Sequence, residues 1–447
     1  MDLIVDLHIH SHYSRATSRD STLEGLYRWG KIKGINIIGT GDFTHPLWFA
    51  ELKEKLEPAE PGLFRLREDI AHSIDKTLSE SVRHNLMRFI LTVEISTIYS
   101  KTGKVRKLHN LVIAPSFETV ANINSQLERI GNLKADGRPI LGMDSKRLLH
   151  ITLDTDRQAL FIPAHIWTPW FAMFGSKSGF NSITEAFEEL APEIKAIETG
   201  LSSDPFMNWR LDELQNVSII SNSDAHSPQK LGREATIVRI GKEGFMDSRL
   251  RGNDESIENL SYNSIIDAIR TNDERLIGTI EFFPQEGKYH FDGHRACNVK
   301  FTPRETKEQG GICPVCHNPL TIGVDYRVSE IADHEEGYKS KNHKTVEYII
   351  PLTEILSEMH GVKSPSKKVW ADFDRMIAGI GNEFDILRKI PVSEISSQGF
   401  SELAKVIDRM RKGDVIIEPG YDGVYGVIKL FANDGERKKL GDQISMW

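Results

Sequence analysis

Seven short runs dominated by Ile, Val and Leu recur between residues 1 and 226, and they limit this chain's options more than any other feature. They are Leu3 to His10, Ile35 to Phe43, Phe89 to Ile98, Leu108 to Ala114, Leu160 to Ile166, Ile194 to Thr199 and Val217 to Asp224. Each is nearly continuous in apolar residues, the pattern of parallel strands covered on both faces, and longer mixed segments separate them. Strand then helix, repeated this often, predicts an α/β fold closed as a βα barrel. Two more apolar runs, Ala235 to Ile240 and Leu276 to Phe282, flank a polar stretch from Gly241 to Asn263 that reads as a surface loop or insertion. Further on, Phe400, Leu403, Val406, Ile407 and Met410 fall at helical spacing, and Pro419 to Gly423 marks a turn before a short strand pattern from Val424 to Phe431. The expected division is a catalytic barrel over 1–285, a metal-binding module over 286–335 and a mainly helical C-terminal domain over 336–447.

No apolar stretch approaches the roughly 20 residues of a membrane helix, and the start lacks a basic, then long apolar, leader, so the expected location is the cytoplasm, at the nucleoid. The net charge of -8 neither demands nor excludes nucleic acid. Basic clusters such as Lys339, Lys341 and Lys344, or Arg409, Arg411 and Lys412, are ordinary solvated faces unless an enzyme needs a polyanion.

The chemistry is written at the strand ends. In Asp6-Leu7-His8-Ile9-His10 the two histidines lie two apart and point to one side of a strand. Other runs end in ligand-type residues too: Asp42, Glu94, His109, His165, Glu198, and Asp224 with His226. In a βα barrel these ends share one mouth, where imidazoles and carboxylates together make a multinuclear site for zinc or manganese. A second signal is His294-x2-Cys297-x15-Cys313-x2-Cys316, which has structural zinc spacing, with His290 and His317 as other candidates for the fourth ligand. These three cysteines are the only ones in the chain, too few and too clustered for a disulfide framework.

The Asp-x-His-x-His opening, the mid-chain Glu94 and Ser223-Asp224-Ala225-His226 resemble the polymerase and histidinol phosphatase (PHP) superfamily. That resemblance implies a distorted seven-stranded βα barrel holding two or three divalent metals, zinc, manganese or magnesium. His8, His10, Glu94 and Asp224 would share one metal, Glu94, His109 and His165 a second, and Asp42 with His226 a third. The chain departs from the superfamily at Ser14-Arg15-Ala16-Thr17-Ser18 and at Thr40-Gly41-Asp42, with His45 as a substitute ligand nearby. Gly293-His294-Arg295-x-Cys297, Cys313-Pro314-Val315-Cys316, Ile162 to Phe171 and Pro419 to Gly426 are similar to the endonuclease Q family within that superfamily.

This second resemblance implies a metal-dependent DNA repair endonuclease that cuts 5′ of deaminated bases (uracil, hypoxanthine, xanthine) or abasic sites in double- or single-stranded DNA. Asp224, Glu94 and His226 would carry the catalysis, one structural zinc would sit in the small module, and a replication clamp would be a further partner. Reading one base requires taking it out of the stack into an aromatic pocket, and the segment after His165 offers Trp167, Trp170, Phe171, Phe174, Ser178 and Gly179 for it. The alternative is a small-molecule phosphomonoesterase of the histidinol phosphatase type, which uses the same barrel but gives no reason for the zinc module.

Overall fold

The computed structural model describes residues 1–241, 259–433 and 435–437. Its first twelve strands are β1 (Asp2–Asp6), β2 (Ile37–Gly39), β3 (Leu56–Pro58), β4 (Phe64–Leu66), β5 (Arg88–Lys101), β6 (Lys104–Ala114), β7 (Ile140–Leu141), β8 (Leu160–Pro163), β9 (Ala196–Glu198), β10 (Ser218–Ile220), β11 (Ala235–Arg239) and β12 (Leu276–Glu281). The seven apolar runs become β1, β2, β5, β6, β8, β9 and β10, which close a distorted barrel. β1, β2 and β5 pair in parallel, as do β9 and β10. The ring closes through single backbone hydrogen bonds past the strand ends: Ile166 N to Glu198 O at 3.1 Å joins the β8 and β9 sides, and His10 N to Ala225 O at 3.0 Å joins the β1 and β10 sides.

The distortion lies at β5 and β6, which pair antiparallel over eleven residues, from Leu91↔Ala114 to Lys101↔Lys104. A parallel crossover needs a dozen or more residues, and Ile98 and Leu108 stand too close together for one. The chain reverses instead through Thr102 and Gly103, both left-handed at φ 51° and 74°, the turn geometry whose twist suits a hairpin. β6 and β8 are antiparallel as well, and β11 and β12 extend the sheet beyond β1 in the same sense.

Alternate residues of β1 divide between two cores. Leu3, Val5 and Leu7 join Ile37, Ile90, Leu111, Ile162, Ile220 and Val238 from the neighbouring strands, and helix Tyr262–Thr271 closes this cluster with Ile265, Ile266 and Ile269. Ile4 belongs to the larger core shared with the surrounding helices. The stretch from Gly241 to Asn263, read as a loop, ends differently: Ser261 caps that helix and Tyr262 begins it. Residues 242–258 of that stretch lie outside the described residues.

The small module carries the hairpin β13 (Asp292–His294) and β14 (Val299–Phe301). Its helix Val324–Ile331 fixes it to the barrel through the buried Arg327, whose guanidinium donates to Phe174 O and Phe180 O, both at 3.0 Å, and to Asn181 Oδ1 at 2.6 Å. The C-terminal domain is mostly helical, but its first element, β15 (Thr345–Tyr348), joins the barrel sheet in parallel with β12. Its helices meet the barrel at a buried pair, Lys33 Nζ to Glu383 Oε2 at 2.6 Å, and Asn382 packs so tightly on Gly34 (φ 83°) that no Cβ would fit there. The last hairpin joins β16 (Ile416–Glu418) to β17 (Val427–Lys429). No helix among the described residues is long and apolar enough to cross a membrane.

One residue beyond the paired Ala235 and Ile280, Glu234 and Glu281 come together, both fully buried. Burial pushes the Glu281 carboxyl up to about 8, against the hydrogen bond from Ser221, and burial with the adjoining Glu281 pushes Glu234 well above the carboxylate range. The unfolded chain gives up the Glu281 proton near 4.5 and the folded chain only near 8, so folding stability falls as pH rises between those values and levels off above them. Chemical denaturation across that range checks this, and Glu281→Gln should flatten the profile.

Candidate metal centre

The barrel mouth brings ligand-type residues of five strand segments onto one buried carboxylate, Glu94, which stands within β5 as His109 stands within β6. Among the described residues, one potential ligand atom each from His8, His10, Glu94 and Asp224 lies within 4.8 Å of the others, and Glu94, His109 and His165 form a second such group. Glu94 Oε1 is 2.5 Å from His109 Nδ1 and 3.0 Å from His165 Nε2, while Oε2 is 3.3 Å from His10 Nε2 and 3.5 Å from His8 Nε2. Glu94 thus belongs to both groups, the geometry of a bridging carboxylate.

Behind each leading histidine stands a second carboxylate. His8 Nδ1 lies 3.0 Å from both oxygens of Glu198, which also accepts from His165 N at 2.9 Å and Asn222 Nδ2 at 2.8 Å. His10 Nδ1 lies 3.2 Å from Asp42 Oδ1. A carboxylate on one ring nitrogen fixes the ring and leaves the other nitrogen as the ligand atom. His8 Nε2 fits that role: it is buried, has no hydrogen-bond partner and faces Glu94 and Asp224.

The electrostatics agree with the donor set. Burial alone would lower the imidazoles of His8 and His10, yet the surrounding carboxylates hold both well above their ordinary values. Burial would raise Glu94 and Asp224, yet His109, Arg138 and His8 hold Glu94, and His8 and His10 hold Asp224, well below the carboxylate range. The pocket calls for positive charge, and imidazoles mixed with carboxylates suit divalent metals.

Asp42 departs from the expected third-metal role. Its Oδ2 accepts from Ser11 N at 2.7 Å, Ser11 Oγ at 2.6 Å and Ser14 Oγ at 2.9 Å, and its Oδ1 faces His10. Both oxygens are engaged, so Asp42 orients a ligand and joins neither ligand group. The two departures from the superfamily pattern, Ser14 and Asp42, are therefore bonded to each other. His226 also stays outside both groups: its ring lies 4.5 Å from that of His10, with Nδ1 2.9 Å from Asp224 O. His45 stacks on Tyr13 at 4.3 Å.

The backbone is strained where the ligands sit. Asp42, His165 and Asp224 are left-handed at φ 51°, 30° and 46°, a conformation that costs a non-glycine residue on the order of 1–3 kcal/mol and gathers at functional sites. Gly200 allows it at His165, since a Cβ there would lie 2.3 Å from the His165 Cβ. Sequence reasoning missed Arg138, whose Nη1 is 3.0 Å from Glu94 Oε2; it stands between Gly137 and Pro139, away from any apolar run or ligand pattern that would have marked it.

A cavity of about 430 Å³ opens beside this centre, lined by His165 and Asp224 on the barrel side and by Lys288, Tyr289, His290 and Tyr425 opposite. Of the six residues expected to form a base pocket, only Trp170 lines it. Trp167 and Phe174 are core, with the Trp167 indole bonded to Asn208 Oδ1 at 2.8 Å. Ser178 is buried and braces the loop by accepting from Phe171 N at 3.2 Å, Gly179 packs on Gly175, and Phe171 covers His109 at 4.7 Å. The loop folds onto itself, and aromatics from two distant segments take its place. They come from Gly287–His290 and the turn before β17, which are joined by Gly423 N to Lys288 O at 2.8 Å, Gly426 N to Glu286 O at 3.0 Å and Phe291 N to Gly420 O at 2.9 Å.

In the small module, ligand atoms of His294, Cys297, Cys313 and Cys316 gather within 4.8 Å of one another, without His290 or His317. Burial raises the Cys313 thiol, but backbone N–H groups of Cys316 and Val315 and the His294 ring bring it down to about 6, toward the thiolate that zinc takes.

The fold and the centre define a metal-dependent hydrolase built on a distorted βα barrel. Over nearly its whole length the chain matches the lesion-specific endonuclease PfuEndoQ from Pyrococcus furiosus, with a TM-score of 0.78 and 27% identity over 98% of this chain and 99% of that one. It matches equally an endonuclease Q solved with a 27-mer duplex carrying an abasic lesion at its active site, at a TM-score of 0.78 and 28% identity over 97% of each chain. The chain is thus similar, in fold and over nearly its whole length, to solved endonuclease Q structures. The uncharacterized Bacillus subtilis protein YqxK is 26% identical over 96% of this chain and 99% of its own. The Methanocaldococcus jannaschii protein MJ0043 is 30% identical over 59% of this chain, a match spanning 31% of that longer relative, and the MJ0043 C-terminal domain family matches residues 351–414.

Glu198→Ala should weaken barrel metal affinity about 10- to 100-fold, measured by competition with a chromogenic chelator, while the module keeps its zinc. Cys313→Ser should lose about one zinc per chain by elemental analysis and lower the melting temperature.

Proposed function

We propose that this chain is a DNA repair endonuclease that hydrolyses the phosphodiester 5′ of uracil, hypoxanthine or xanthine, and of abasic sites. The cavity beside the metal centre carries the reading. One of its walls holds the ligands His165 and Asp224, and the other is built by the zinc-module segment and the C-terminal turn. A nucleotide taken out of a duplex would set its phosphate against the first wall and its base against the second. A phosphomonoesterase for a small substrate has no use for the second wall. The endonuclease Q solved with an abasic duplex supports DNA as the substrate.

Metals held by His8, His10, Glu94 and Asp224, and by Glu94, His109 and His165, would lower the pKa of water and neutralise phosphate charge. The protein's part is to hold that arrangement rigid. Glu198 and Asp42 fix the rings of His8 and His10, and the left-handed turns at His165 and Asp224 aim their side chains inward. Arg138, beside Glu94 and only partly buried, adds a fixed positive charge at the mouth. His226, outside both ligand groups, is the imidazole left to pass a proton to the departing 3′ oxygen. Hydrolysis then leaves a 3′ hydroxyl and a 5′ phosphate on the damaged nucleotide. Extrusion costs least for a mispaired or missing base, which favours lesions before any contact is made.

The test is incubation with manganese, magnesium or zinc and end-labelled duplexes carrying one deoxyuridine, one deoxyinosine, one abasic site or none. A single nick immediately 5′ of each lesion is expected, absent from the undamaged duplex and from Asp224→Ala. Intact DNA throughout, with phosphate released from small phosphomonoesters, would replace this reading with the phosphatase.

A further inference from the structure

Next to the barrel, β11 and β12 enclose a seam of oxygens that no base balances. The two strands pair Thr236 with Thr279 and Ala235 with Ile280, so Glu234 and Glu281 come opposite each other on the face that holds both threonines. Both acids are 0% exposed. The base beside Glu234, Arg233, instead donates its Nε to Ser223 O at 3.0 Å. Glu234 Oε1 accepts from Phe282 N at 3.3 Å and Glu281 Oε1 from Ser221 Oγ, but Oε2 of each acid is buried without a hydrogen-bond partner. A neighbour gives an independent sign: the hydroxyl of Thr279, 2% exposed and two residues before Glu281 on the same strand face, is unpartnered as well. Buried polar atoms are nearly always paired, so three orphan oxygens gathered on one face point to a ligand that supplies positive charge.

We propose that this seam binds a hard divalent cation of calcium's size, at a site separate from the barrel centre and from the cysteines. Its donors are oxygens alone: the carboxylates of Glu234 and Glu281 and the hydroxyl of Thr279, with Ser221 Oγ and Thr199 Oγ1, 2.6 Å apart, next in line. Imidazole and thiolate, which favour zinc at the other two sites, are missing from this set. Calcium takes about six to eight oxygens in loose geometry, whereas magnesium keeps much of its water and suits an enclosed seam poorly. Two carboxylates balance a charge of two, and Asp204 beside Glu281 and Glu198 beside Glu234 add to the negative field. Thr279 also lines a cavity of about 20 Å³, room enough for one water or one small ion. The location gives such an ion a task. Ser221 lies shortly before the ligand Asp224, and Thr199 directly follows Glu198, which holds His8. A cation here ties the end of β10 to β11 and β12 and so braces the segments that carry the barrel centre, without touching a substrate.

The experiment measures binding and is independent of the endonuclease reading. Full-length protein saturated with zinc, so that the barrel and the cysteines are filled, is brought to equilibrium dialysis against radiolabelled calcium above pH 8, where Glu281 has given up its proton. Wild type should hold about one calcium per chain, and calcium should raise its melting temperature by about 3 °C or more. Glu281→Gln and Glu234→Gln keep the side-chain shape and remove the charge; each should bind calcium at least about 30-fold more weakly and lose the thermal shift. Thr279→Val, which removes one hydroxyl and no charge, should weaken binding about 10-fold. Unchanged zinc content shows that each variant is folded. Wild type that neither binds calcium nor melts higher in its presence overturns the site and leaves the two acids sharing a proton. Equal calcium binding by wild type and all three variants overturns it as well, because the ion then sits elsewhere. Magnesium binding more tightly than calcium overturns the choice of ion.

Discussion

Everything at the barrel mouth is arranged around the burial of one carboxylate. Glu94 is fully enclosed, and an ion in that position costs several kcal/mol unless it is compensated from every side. Here the compensation comes from His8, His10, His109, His165 and Arg138, which arrive on four segments of the chain. The strand order, the hairpin at Thr102-Gly103 and the left-handed turns are the geometric terms on which those groups can meet. Removing Glu94 would leave four inward-facing imidazoles without the carboxylate they share.

A second tier of buried acids keeps the first in place. Asp6, fully buried and pushed up to about 6 by burial, accepts from Ser223 N at 3.0 Å and Gly232 N at 2.9 Å, which sets the loop that carries Asp224. Glu198 ties His8, His165 and Asn222 together across three strand ends. None of these acids needs to touch a substrate to matter, because each fixes the aim of a group that does.

How much of this was legible follows from what sequence patterns encode. Apolar runs report burial, so all seven barrel strands were visible. Ligand-type residues recurring along these runs report a shared mouth, so the gathering of His8, His10, Glu94, His109, His165 and Asp224 could be expected too. Strand direction is not encoded in apolarity, and the antiparallel pairing of β5 with β6 could be read only from the short span between Ile98 and Leu108. Asp42 looked like a ligand because a carboxylate at a strand end looks the same whether it binds a metal or backs a histidine. Its bonds to Ser11 and Ser14 decide the matter, and they exist only after folding. The aromatic segment after His165 misled for a similar reason: Trp167 and Phe174 were apolar enough to be core, and core is where they are. The residues that do face the cavity, Tyr289, His290 and Tyr425, come from segments far apart in the chain, and no local pattern joins them.

The small module lies between β12 and β15, two strands that are neighbours in one sheet. Residues 282–344 therefore form a loop whose ends must be brought together before the sheet can add β15, and a flexible loop resists this through its entropy. Condensed on a metal held by His294, Cys297, Cys313 and Cys316, the module would be no flexible loop but a rigid spacer with its exits close together. Metal at the cysteines would then bear on how readily β15, and the C-terminal helices that follow it, can take their places on the barrel.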